Sequence, residues 1–343
     1  VSKIKVKVKP FSDSEVRLAF PYHDDLVEWA KNDLTERRWY AGERIESLFG
    51  DTGERKNAGW IVPLTPAACH SLLRTCPVEV EAPTIVKQLA EQFAGDVSFG
   101  HDLSGEGLEQ PAVRIFDAWR HQLAAYHFAI RRRCCAMLAM GMGTGKTKVT
   151  LDLAVNQDTR MNLIIAPPTV LSVWRREVAK HSPQAEALIL DDSYKSTKKK
   201  REAAERFADA AKYANVPFFV VINYESARMS TMREWLLRQV WDLTALDESH
   251  RAKAPEGVTG KLTAALRPIS QRRLCLTGTP MAHSPADLYS QFRFIDLSIF
   301  GDSFYRFKQK YAVEGYFKEV IGWKSKDEMA KAFHSAAIVV PEV

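Results

Sequence analysis

Apolar and polar positions along the chain follow two different rhythms, and the change between them divides it. Near the start, Ile4, Val6 and Val8 alternate with lysines, and Val16, Leu18 and Phe20 repeat the alternation, which predicts strands with one covered face. Residues 24–33 read as a helix. Arg38-Trp39-Tyr40 and Trp60-Ile61-Val62-Pro63-Leu64 read as two more strands, joined by a polar, glycine-containing stretch over 42–59. Thr65 followed by Pro66 marks a helix start, with threonine as the cap and proline in the first turn. A second helix is expected over 84–93. Gly, Asp and Ser then cluster over 95–109, so 96–112 is expected to be a linker closing a small α+β domain of residues 1–95.

From Pro111 the alternation gives way to short, wholly apolar runs separated by helical stretches, the pattern of a parallel sheet covered on both faces. Strands are expected over 136–140, 162–166, 187–190, 217–223, 243–246 and 273–277. The fold class is therefore α/β, a doubly wound parallel sheet over 113–343 preceded by the small α+β domain. In such sheets ligands bind beyond the carboxyl ends of the strands.

Composition sets outer bounds. The chain has 343 residues and is 46% apolar, enough for two packed domains, and its net charge of +6 is compatible with a polyanionic partner without requiring one. Cys69, Cys76, Cys134, Cys135 and Cys275 are odd in number and lack metal-ligand spacing, which points to a reducing compartment. No leader and no apolar run of about 18 residues stands in the chain, so the expected location is cytoplasmic or otherwise intracellular, with no membrane partner.

Three stretches carry chemistry, each at the end of an expected strand. In Gly141-Met142-Gly143-Thr144-Gly145-Lys146-Thr147, glycines recur at alternate positions between strand and helix, where each would cost about 1 kcal/mol against alanine in regular structure. A phosphate-binding loop offsets that cost: backbone N–H groups turn toward a triphosphate, Lys146 reaches the terminal phosphates and Thr147 holds Mg²⁺. Met140 occupies the place of the pattern's first glycine, and a flexible turn with a solvated lysine is the plainer reading. The second stretch, Asp247-Glu248-Ser249-His250, ends a buried strand in two acids; Asp247 would organise the metal, Glu248 the attacking water, and His250 would couple the site to neighbouring loops. A solvated surface pair is the bland alternative. The third, Thr277-Gly278-Thr279-Pro280, suits a loop near the terminal phosphate that reports nucleotide state.

In this order the three stretches resemble motifs I, II and III of superfamily 2 helicases, specifically Swi/Snf-type ATPases of the sort also found in phages. Trp119-Arg120-His121-Gln122 resembles the upstream glutamine motif, 164–171 with Trp174 and Glu177 resembles motif Ia, and Asn223-Tyr224-Glu225 resembles the segment before motif II. The resemblance implies a first RecA-like lobe that binds ATP and Mg²⁺, the metal through Thr147 and Asp247, and that places Gln122 on the adenine edge with Trp119 near the base. It also implies sequence-independent contacts to duplex or branched DNA from Thr169, Ser172, Arg175, Tyr224 and Thr279. The basic runs 131–133 and 198–201 read first as solvated faces.

Residues 281–343 fall short of the roughly 150 that a second RecA-like lobe needs. That lobe, which in the family supplies arginines to the hydrolytic site, is therefore expected to be absent from this chain, leaving it poorly active alone. The first 90 residues resemble the HARP domain that precedes the motor in annealing helicases. There Trp39, Tyr40 and Trp60 are either core aromatics or outward faces that stack on nucleic acid. Two rival functions are a nucleic-acid-binding module that uses ATP only as a structural switch, and a metabolite kinase.

Overall fold

The computed structural model describes residues 4–32, 34, 37–41, 43–47, 50–56, 58–317 and 319–342. Asp33, the end of the first expected helix, and Val343 lie outside them. The chain forms two compact units, Val1–Gly95 and Asp96–Val343.

In the first unit the alternating segments fold as β1 (Lys5–Ser12) and β2 (Glu15–Ala19), followed by α1 (Asp24–Asn32), β3 (Arg38–Tyr40), β4 (Glu43–Ser47), β5 (Gly50–Lys56), β6 (Gly59–Pro63), α2 (Pro66–Thr75), β7 (Glu79–Glu81) and α3 (Thr84–His101), whose residues from Asp96 on are counted in the second unit. Five strands make one sheet in the order β3-β6-β2-β1-β7, and β4 pairs with β5 as a separate hairpin where a joining stretch was expected. Val6, Val8, Val16 and Leu18 face inward onto Leu26, Trp29, Leu72 and Val86, as period-two alternation requires. Thr65 caps α2 by accepting the Ala68 N–H, with Pro66 in the first turn. Trp39 is exposed and meets the half-buried Trp60 edge-on at 5.3 Å. It is thus the one of the three aromatics that faces outward.

The second unit runs α4 (Arg120–Arg131), β8 (Cys135–Met140), α5 (Lys146–Asn156), β9 (Met161–Ala166), α6 (Leu171–His181), β10 (Glu186–Leu190), α7 (Thr197–Ala211), β11 (Phe218–Asn223), α8 (Tyr224–Arg228), α9 (Ser230–Leu237) and β12 (Trp241–Asp247). It continues with α10 (Val258–Leu266), β13 (Ser270–Thr277), α11 (Ala286–Ile295), α12 (Leu297–Phe300), α13 (Phe304–Tyr311), β14 (Ala312–Glu314), β15 (Val320–Trp323), α14 (Lys326–His334) and β16 (Ala337–Val340). Seven strands form one sheet in the order β10-β11-β9-β12-β13-β8-β16, and every pairing in it is parallel. All six expected strands are present. The seventh, β16, pairs with β8 at the sheet edge; its four residues are too short a run to distinguish from a buried helix turn by pattern. Two apolar layers cover the sheet, one around Leu163, Ile165, Val220 and Phe292, the other around Leu138, Leu151, Phe219 and Leu276.

The expected linker needs correction. Helix α3 does not stop at residue 93 but runs to His101, because its last turns are held: buried Asp96 accepts hydrogen bonds from Arg131 and Arg132, Phe99 stacks on Phe128, and Gly100 packs where a Cβ would lie 2.8 Å from the His334 carbonyl. The rest of the stretch is also pinned. The Gln110 carboxamide bonds both the N–H and the carbonyl of Ala118, and Asn156 does the same for Val113. Glycine and serine signalled the absence of strand; side-chain ties made a long-range decision that pattern does not carry.

Asp96 is the fully buried partner of two guanidiniums, one of them itself buried. Replacing Asp96 by Ala should leave the Arg132 charge without this partner and cost about 3 kcal/mol, read as a fall in the urea midpoint at unchanged slope.

Candidate active site

The loop after β8 owes its path to two glycines. Gly143 and Gly145 have φ of 76° and 92°, a left-handed backbone open to glycine and strained for other residues. Gly145 is also the cap of α5, and a Cβ there would lie 2.3 Å from the Gln122 Nε2. Met140, which broke the glycine pattern, is the buried last residue of β8 and pairs with Val340; the turn begins only at Gly141, so no glycine is needed before it. Thr144 fixes the turn from inside, its hydroxyl donating to the Gly141 carbonyl at 2.7 Å.

Gln122 lies beneath this loop. Its Nε2 donates to the Thr144 carbonyl at 3.1 Å while its Oε1 accepts the Trp119 N–H at 3.0 Å, and His121 Nε2 donates to the same Thr144 carbonyl at 2.9 Å. The start of α4 is thereby tied to the glycine loop. Gln122 is buried and acts here as a strut for the loop, whereas exposed Trp119 offers an open ring beside it. Lys146 folds back over the loop, donating to the Met140 and Gly141 carbonyls at 2.8 and 3.0 Å. Thr147, one residue further on, is half-buried.

β12, two strands from β8, delivers the acids to the same edge of the sheet. Asp247 is buried at the strand end, with Oδ2 accepting the Trp174 indole N–H at 2.8 Å and Oδ1 the Glu248 N–H at 3.1 Å. Burial pushes its carboxyl above the usual range, and the Glu248 charge adds to that; the Trp174 hydrogen bond and the Lys146 charge act against it. Lys146 and Asp247 therefore feel one another across the loop. Glu248 has φ of 50°, a left-handed conformation costing a non-glycine residue about 1 kcal/mol or more, which the flanking bonds hold in place. His250 Nδ1 lies 3.3 Å from the Glu248 carboxylate and 3.2 Å from the Thr277 hydroxyl, which in turn accepts the Thr279 N–H at 3.1 Å. Burial lowers the His250 pKa, with Arg251 and Lys253 acting the same way against Glu248 and Asp287.

Lys146, Asp247, Glu248, His250 and Thr277 are thus drawn together from three sequence-distant segments. The residues expected to touch nucleic acid divide. Thr169 is exposed just before α6, Ser172 and Arg175 are exposed in its first turns, and Thr279 is exposed after β13, all on the carboxyl side of the sheet. Tyr224 is not available: it is buried, and its hydroxyl donates to the Asp247 carbonyl at 2.9 Å, so its role is to fix the strand end. Sequence reasoning also missed what Trp174 does, since an indole on a helix after β9 gives no sign of which carboxylate it will meet.

No group of three or more His, Cys, Asp or Glu side chains is arranged to hold a metal among the described residues. A magnesium ion suits this site nonetheless, because it takes few protein oxygens and the rest from substrate phosphates and water. Asp247 still has lone pairs beyond its two hydrogen bonds, and Thr147 adds a hydroxyl beside the loop.

The sequence matches the SNF2-related domain family over residues 54–336. It is 31% identical over 169 residues to the ATP-dependent DNA helicase DDM1 of Arabidopsis thaliana, covering 48% of this chain and 21% of that one. Against the ISWI chromatin-remodeling complex ATPase ISW2 of Saccharomyces cerevisiae, identity is 29% over 172 residues, covering 49% and 14%. Against the human chromatin-remodeling ATPase INO80 it is 26% over 245 residues, covering 68% and 14%. The chain therefore spans between a seventh and about a fifth of the length of these relatives. Among solved structures, the Sulfolobus solfataricus SWI2/SNF2 ATPase core in complex with dsDNA has a similar fold, with a TM-score of 0.53 and 22% identity over 68% of this chain and 46% of that one.

Two outcomes follow from the geometry. Gly145→Ala should abolish nucleotide binding, measured with a fluorescent ATP analogue, since a methyl group would collide with Gln122 on a backbone of positive φ. Because His250 resists protonation in the fold, the unfolded chain takes up a proton that the folded chain does not as pH falls through the ordinary histidine value near 6.5; stability is lost in that direction. His250→Gln should reduce the fall in melting temperature between pH 7.5 and 5.5, a pH span chosen to bracket that value.

Proposed function

The chain belongs to the SNF2-related domain family, and on that premise we propose that it is the ATP-binding first lobe of a DNA-dependent ATPase motor. The observation that carries this reading is the meeting of Lys146, Asp247, Glu248 and His250 at one edge of a parallel sheet, with the Thr277–Pro280 loop bonded to the last of them. A metabolite kinase has no use for that attached loop.

ATP is the substrate. Its phosphates sit against the N–H groups of 142–147, and Lys146 exchanges two loop carbonyls for the terminal phosphates, trading neutral acceptors for charged ones. Thr147 and Asp247 would hold Mg²⁺, which would supply positive charge to offset that of the triphosphate. Glu248, swung out of the strand by its left-handed backbone, orients the attacking water and takes its proton. His250, whose partial burial disfavours its charged form, ties Glu248 to Thr277 and hence to exposed Thr279.

DNA is the second partner. Thr169, Ser172, Arg175 and Thr279 offer exposed hydroxyls and a guanidinium on the carboxyl side of the sheet, suited to phosphodiester contacts that are indifferent to sequence and weakened by salt. A second RecA-like lobe supplies the remaining catalytic charge, and the 1–95 unit is an accessory HARP-like module carrying Trp39 on its surface.

The test is ATP turnover by the full-length protein with and without duplex, single-stranded and forked DNA. DNA should raise turnover. Glu248→Gln should lower it by about a hundredfold or more while leaving ATP affinity within a few fold, and Lys146→Ala should weaken ATP binding itself. Turnover indifferent to every DNA, or unchanged in Glu248→Gln, rules the motor out.

A further inference from the structure

The acidic strand end is joined to the Thr277–Pro280 loop a second time, through the core. Ser249, next to Glu248 and fully buried, donates its hydroxyl to the Gln291 Oε1 at 2.6 Å. The Gln291 Nε2 then donates to the Pro280 carbonyl and to the Asp287 carbonyl, each at 2.8 Å. Asp287 extends the connection, its Oδ2 accepting the N–H groups of His283 and Ser284 at 2.7 and 3.2 Å. One carboxamide thus touches the residue next to Glu248 and, on the other side, holds the Pro280 end of 280–284, while the Asp287 carboxylate holds its 283–284 end.

Gln291 is out of character for its place. It sits on α11 between Leu288, Phe292 and Ile295, all buried, where a leucine would fill the space without polar atoms to satisfy. Burying a carboxamide without partners costs several kcal/mol, and this one is compensated only because its oxygen and both its N–H groups are used. Such a bridge is stiff: in a dry interior Ser249 and Pro280 cannot move apart without orphaning a buried polar atom. It also differs from the link through His250, which is partly exposed and depends on a titratable ring.

We propose that Gln291 is a positioning residue that transmits the state of the nucleotide site, by way of Ser249, to the 279–284 loop. The proposal rests on the ATPase reading above. When Glu248 and its neighbours adjust to a bound triphosphate, Ser249 carries the displacement to Gln291, and Gln291 carries it to the Pro280 carbonyl and the start of α11. Exposed Thr279, at the end of that loop, is then repositioned together with the catalytic carboxylates.

Hydrogen exchange over 277–284 in the full-length protein, with and without a non-hydrolysable ATP analogue and Mg²⁺, tests this. The wild type should show slowed exchange at His283 and Ser284 on adding the analogue. Ser249→Ala, which removes a single oxygen and should fold, and Gln291→Leu, which keeps the shape, should each reduce that response about tenfold while analogue affinity stays within about threefold. The double variant should lose no more than Gln291→Leu alone, because both changes cut one connection. An undiminished loop response in both single variants, or a response that falls only in step with analogue affinity, overturns the link and leaves the ATPase reading standing. Failure of the wild type to bind the analogue overturns both.

Discussion

The site depends on keeping an acid ionisable inside the protein. Asp247 lies where burial works against its charge, and three groups from three elements make the position tenable: the Trp174 indole from α6, the Glu248 backbone N–H, and the ammonium of Lys146 across the loop. Tyr224 adds the fourth constraint by holding the Asp247 carbonyl. Without those partners burial would push the Asp247 carboxyl higher still. Held as it is, it fits the part of cation ligand proposed for it, with the Glu248 carboxylate beside it.

The glycine loop obeys a matching constraint from the other side. Its glycines permit positive φ, but the loop is not thereby loose, because Gln122 and His121 both grip the Thr144 carbonyl and Thr144 grips Gly141. Rigidity here comes from side chains on α4 that precede the loop by some twenty residues. A preorganised ring of N–H groups stabilises phosphate without first having to order itself, which is where such sites gain their affinity.

From the acids, two connections reach the loop after β13, one partly exposed through His250 and Thr277, one buried through Ser249 and Gln291. Both end at a segment that meets the acidic strand end on one side and carries the exposed Thr279 hydroxyl on the other. A parallel sheet makes this arrangement natural, since all its strands deliver their carboxyl ends to one edge. In the motor proposed above, the triphosphate site and the DNA-facing hydroxyls would be separated by a few residues rather than by a domain.

Much of this was legible in the residues alone. The apolar runs of β8, β9, β11, β12 and β13 read as strands because both faces of the sheet are covered, so no polar position interrupts them. The Gly143–Thr147, Asp247–His250 and Thr277–Pro280 stretches were readable because their chemistry is local: a turn, a strand end and a loop whose residue types are set by their own backbone. What tertiary structure alone decided is every pairing between distant segments. Tyr224 reads as a surface contact until β11 places its hydroxyl under Asp247. The 96–112 stretch reads as a linker until Arg131 and Arg132 close on Asp96, and Gln291 reads as an unremarkable helix residue until Ser249 and Pro280 arrive on either side. The physical reason is that a residue's neighbours along the chain fix its backbone, whereas the partner of a buried polar group is chosen by packing among segments dozens of residues apart, and local pattern holds no record of that choice.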